Sequence, residues 1–115
     1  MSAADRMVML CRSLFERGYS VGGAGNVSVR NPKEFAFHRA LYDVRPQAGA
    51  IVHLHSTYLT ALSCLEGLPR DNAIRPFTPY YVMRIGHMPV IPYSRPGSPQ
   101  IGLHLAAAAQ GSSAQ

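Results

Sequence analysis

The sequence has no tryptophan, and among its eleven basic residues there is a single lysine. The ten arginines are spread along the chain with no cluster and no aromatic interleaving, which argues against a nucleic-acid surface. There are only two cysteines, Cys11 and Cys64, both in apolar, helix-like contexts. In a chain without a signal segment such a pair is expected as two free core thiols in a cytoplasmic protein, with a disulfide the lesser alternative. No apolar run reaches secretory or membrane-spanning length, because Asp5, Arg6, Arg12, Glu16 and Arg17 interrupt the N-terminal stretch. No membrane partner is therefore expected. The net charge of +5 leaves room for an anionic small molecule as a partner without selecting one.

What remains is 115 residues, enough for one domain that buries roughly two thirds of its unfolded surface. No internal repeat is visible. Met7, Leu10, Cys11, Leu14 and Phe15 recur at helical spacing over residues 3 to about 17, with Ser2 and Asp5 as a start signal and Gly18 as a stop. The turn VGGAGNVSVR follows, where Gly22, Gly23 and Gly25 permit positive φ and Val27-Ser28-Val29 alternates as a short strand. Asn31-Pro32 reads as a cap and first-turn proline for a second helix, KEFAFHRALYDV, that ends before Pro46. The apolar stretch 50–54, followed by Ser56-Thr57, reads as a buried strand feeding a third helix from about Thr57 to Leu65. Beyond it, a strand is expected around Met88 to Ile91 in otherwise ordered loop, then a helix that decays at about residue 106 into a disordered polar tail. The succession predicts an α/β layered domain over residues 1–105.

The chemistry concentrates in IVHLH, residues 51–55. Residues two apart on a strand share a face, so His53 and His55 would present both imidazoles in one direction, at a separation one metal ion can bridge. A bare His-x-His pair is equally what one hydrogen-bonded core histidine beside a surface one looks like. A catalytic zinc usually takes three protein ligands, so a third would have to come from elsewhere. Glu34, expected at a helix start where the dipole favours its ionised form, is a candidate general acid or base, although first-turn glutamates often serve helix-end electrostatics alone. The GAGNVSVR turn offers backbone amides with Asn26 and Ser28, which suits a phosphate or carboxylate. Tyr80 and Tyr81 carry phenols able to donate a proton, or simply pack beside their prolines.

Taken in order, GAGNVSVR, the segment bearing Glu34 with HRALYDVRP, and AIVHLHS resemble the class II aldolase/adducin family. The resemblance runs from about residue 3 to about residue 103, and TPYYVMRIGHMPVIPYSRPG is most similar to the 3-oxo-tetronate 4-phosphate decarboxylase branch. It implies a three-layer α/β/α class II aldolase-like domain around a largely antiparallel sheet, assembled as a homo-oligomer, commonly a tetramer. It also implies a metal-dependent carbon–carbon lyase for a sugar phosphate or sugar-acid phosphate, working by decarboxylation or retro-aldol cleavage through a metal-stabilised enediolate. On the same resemblance Zn2+ or another divalent metal would be held by His53 and His55, Glu34 and Tyr80 would be catalytic, and Gly25, Asn26 and Ser28 would bind the substrate phosphate.

The chain also departs from that pattern. Members usually place a few tens of residues, with a strand hairpin and a phosphate-binding serine or threonine loop, where Arg30 here runs directly into Asn31-Pro32-Lys33-Glu34. The family's third metal histidine, in a histidine-glycine motif, has no counterpart, since His104 in GLHLAAAA does not match it. An incomplete domain is therefore expected, with sheet strands and a C-terminal part missing and catalysis impaired. The alternative is a non-catalytic, adducin-like binding or assembly module.

Overall fold

A computed structural model describes residues 1–21, 24–30 and 35–111. The first helix, α1 (Ala3–Glu16), is set by local chemistry. The Ser2 hydroxyl accepts from the Asp5 amide at 3.1 Å while the Asp5 carboxylate accepts from the Ser2 amide at 2.8 Å, closing a capping box. Gly18, at φ +74°, turns the chain out of the helix. Two of the three expected strands form, β1 (Asn26–Val29) and β2 (Ala50–His53), and they pair antiparallel with Asn26 opposite His53 and Ser28 opposite Ile51. Between them lies α2 (Ala36–Val44), which begins after an N-cap at Phe35. The expected helix start at Asn31-Pro32, like Gly22, Gly23 and Glu34, lies outside the described residues.

The register puts Asn26, Ser28, Ile51 and His53 on one face of the sheet, and α2 covers that face. His38 and Tyr42, one helical turn apart on α2, are buried there with Ser28. The Ser28 hydroxyl stands 2.6 Å from His38 Nδ1 and 3.1 Å from the Tyr42 phenol, which donates in turn to the Ser28 carbonyl. Arg30 closes the other end of α2 by donating to the carbonyls of Tyr42 and Pro46. The opposite face, with Val29 and Val52, is open to solvent. The strand 50–53 is thus half-covered rather than buried, because helices pack on one side of it only.

Three further helices complete the described chain: α3 (Thr57–Ser63), capped by Ser56, then α4 (Pro79–Arg84), and finally α5 (Gln100–Gly111). Helix α5 packs on α2 where Gly102 allows close approach; a Cβ there would meet the Ala40 methyl at 3.4 Å. Arg45, just past α2, donates twice to the Ala109 carbonyl. These contacts carry the helix to Gly111, beyond the expected change to a tail at residue 106. The segment expected as loop around Tyr80 is helical, because Thr78 caps the Tyr81 amide and Pro79 supplies the first turn. No strand forms at 88–91. Two backbone bonds, Val90 N–H to the Arg70 carbonyl and Ala73 N–H to the Met88 carbonyl, pin it to 70–73 without building a ladder. Both cysteines are free as expected but exposed rather than in a core, since few helical faces here are covered.

Candidate functional site

His53 ends β2 and His55 follows it just before the Ser56 cap, and their ring centroids are 4.9 Å apart. The same-side expectation for the pair therefore holds. His53 is half-buried, with the Phe37 ring edge-on to it at 5.5 Å, and its Nδ1 is buried with no hydrogen-bond partner among the described residues. Burial first, then the neighbouring imidazoles of His55 and His38, push its pKa below the ordinary histidine value, which favours the neutral ring. A neutral imidazole is the form that binds a metal. The pair thus fits two positions of a divalent ion's shell. Among the described residues no group of three or more His, Cys, Asp or Glu completes one.

Gly25 positions this pair. It sits at φ +81°, and a Cβ on it would lie 2.5 Å from the His53 carbonyl oxygen, so only glycine lets the turn lie against the backbone of the histidine strand. Next to it, Asn26 faces His53 across the ladder, and its Oδ1 is also buried without a partner among the described residues. Two unsatisfied polar atoms on one cross-strand pair mark a place where a ligand or ion can supply what the protein does not.

The other expected site residues separate. Ser28, expected to hold phosphate, is turned inward, its hydroxyl engaged by His38 and Tyr42, because the same alternation that faces Asn26 toward His53 puts Ser28 under α2. Glu34 lies outside the described residues. Tyr80 is exposed on α4 with the Arg84 guanidinium over its ring at 5.5 Å, and no ring contact or hydrogen bond joins it to either histidine. The sequence reading missed the buried hydrogen-bonded group that Tyr42 forms with His38 and Ser28. Its signal was the i, i+4 spacing of two polar aromatics on an apolar helix face, which asks for a buried polar partner.

A model of the class II aldolase and adducin N-terminal domain matches residues 31–115, so the chain belongs to the class II aldolase/adducin family. It is 49% identical over 138 aligned positions to the 3-oxo-tetronate 4-phosphate decarboxylase of Haemophilus influenzae, an alignment covering 88% of this chain and 66% of the relative. It is 34% identical to the L-fuculose phosphate aldolase of Escherichia coli K12, covering 91% of this chain and 64% of that protein. The crystal structure of YgbL from Klebsiella pneumoniae superposes with a TM-score of 0.84 at 43% identity, covering 92% of this chain and 69% of that one. The fold is thus the class II aldolase-like α/β domain in incomplete form: this chain spans about two thirds of the length of its relatives. The 138-position alignment exceeds the 115 residues of the whole chain, so the relative carries internal residues that this chain lacks.

Proposed function

We propose that the chain carries the metal-holding strand of a carbon–carbon lyase for a phosphorylated sugar or sugar acid, with His53 and His55 as two of the metal's ligands. The observation that carries this is the convergence of the two imidazoles beside a buried, unpartnered His53 Nδ1. The names of the relatives, a decarboxylase and an aldolase of phosphorylated substrates, support the substrate class. A bound Zn2+ or similar ion supplies Lewis acidity toward substrate oxygens. The chain's own parts do the rest. His53 and His55 hold the ion, and Gly25 and Asn26 offer a polar edge to the phosphate end. Glu34 moves the proton, and Tyr80 serves a site assembled from more than one subunit. Activity in this chain is impaired, since the two imidazoles that the described residues offer hold a metal weakly by themselves.

Titration with zinc tests the reading. Saturable binding at micromolar protein, abolished in both His53→Ala and His55→Ala, is expected; binding that survives both substitutions would refute the assignment. A second reading, a non-catalytic assembly module of the adducin kind, is favoured by the open sheet face with Val29 and Val52 and by the lack of a third ligand among the described residues. It predicts no zinc uptake together with a defined oligomer in light scattering.

A further inference from the structure

A second concave site lies away from the histidine pair. The faces of α5 divide by helical spacing: Gly102 and Ala109 turn to α2, whereas His104, Ala107, Ala108 and Gly111, at i, i+3, i+4 and i+7, line a cavity of about 500 Å³. The segment 87–92 also lines the cavity and is fastened to 70–73 by its two backbone bonds and by the Met88 amide donating to Asn72 Oδ1 at 3.0 Å. This clamp brings Arg70 and His87 into the lining of the same cavity as His104.

Three groups able to donate hydrogen bonds to an anion thus border one hollow against a single carboxylate, Asp71. None of the four side chains makes a hydrogen bond or ion pair among the described residues, and Arg70 and Asp71 do not pair with each other although adjacent. Arg70 is always charged, and each imidazole keeps one N–H donor when neutral. The rest of the lining is apolar, mainly the proline-rich 89–92 wall and the alanine methyls, and the volume is that of a small-molecule site.

We propose that this cavity binds a small ligand through a phosphate or carboxylate group, held by Arg70, His87 and His104 and separate from the His53–His55 pair. The probes are inorganic phosphate and succinate, titrated in parallel at constant ionic strength while the imidazole and backbone amide signals are followed by NMR. Saturable shifts at His87 and His104 are expected, and the tighter of the two probes names the anion class. Arg70→Gln should weaken binding about tenfold by removing charged hydrogen bonds. Ala108→Leu should weaken it comparably by filling the hollow with charge unchanged, and His55→Gln should leave it as it was. Shifts that stay linear for both probes, saturation that survives both Arg70→Gln and Ala108→Leu, or shifts confined to Asn26, His53 and His55 would each overturn the proposal. The two variants alter charge and volume separately, so loss of fold in one leaves the other as the test.

Discussion

Helix α1 and the β1–α2 unit differ in what holds them. In α1 the ends are well defined, by the Ser2–Asp5 capping box and by Gly18, yet Val8, Met9, Leu10 and Phe15 stay exposed. In β1–α2 the helix has no side-chain cap at Phe35, but His38, Tyr42 and Ser28 are buried in one hydrogen-bonded group. One element depends on its own termini and the other on what it touches. Local hydrogen bonds delimit a helix; removal of side chains from water fixes where it sits. The candidate metal ligands belong to the second kind of region, since Phe37 of α2 packs edge-on to His53.

The comparison breaks most severely at Gly25. Gly25→Ala would force an L-residue to φ +81° and drive a methyl into the His53 carbonyl, for a loss of about 3 kcal/mol in urea unfolding. Zinc binding should fall with it, because the strand carrying both histidines must move; unchanged zinc affinity would detach Gly25 from the site. A smaller effect is expected of Ser28→Ala, which takes a hydroxyl from His38 Nδ1 and the Tyr42 phenol in a dry interior. The expected cost is about 2 kcal/mol, with the helicity of α1 untouched. A Ser28→Ala chain as stable as the parent would mean that the buried group is not what holds β1 to α2.

The mildest test acts on α1 alone. The Ser2 hydroxyl, and then the Ser2 amide, hold the Asp5 carboxyl below the ordinary carboxylate value. A depressed folded pKa contributes stability that is present above the unfolded value and lost as pH falls through the folded one. Protection of the first-turn amides of α1, taken relative to their intrinsic exchange rates, should therefore fall on acidification through that range, and Asp5→Asn should flatten the response. The amides of β1 and β2 should not follow, and if they did, α1 would not be independent of the sheet.

Much of the skeleton was legible because its signals are local. The capping box, the Gly18 stop, the Ser56 cap and the period-two placing of His53 and His55 each lie within a few residues of sequence. The strand expected at 88–91 failed because a ladder needs a neighbouring strand, and only two backbone bonds to 70–73 are available. Helix α4 was obscured by the same prolines that suggested a loop, although Pro79 sits at a position where a helix tolerates it. For Ser28 the alternation was read correctly but its consequence was not. Which strand face is covered depends on the arrival of α2, and that is not a property of VSV.

By itself, the sequence determined the family and the two imidazoles on one side of the chain, because descent and backbone period are written along it. Tertiary packing alone decided that Ser28 is buried under His38 and Tyr42, that α5 continues to Gly111 against α2, and that Arg70, His87 and His104 border one cavity. Those outcomes depend on which surfaces exclude water from each other, and residues far apart in sequence settle that only when the chain has folded.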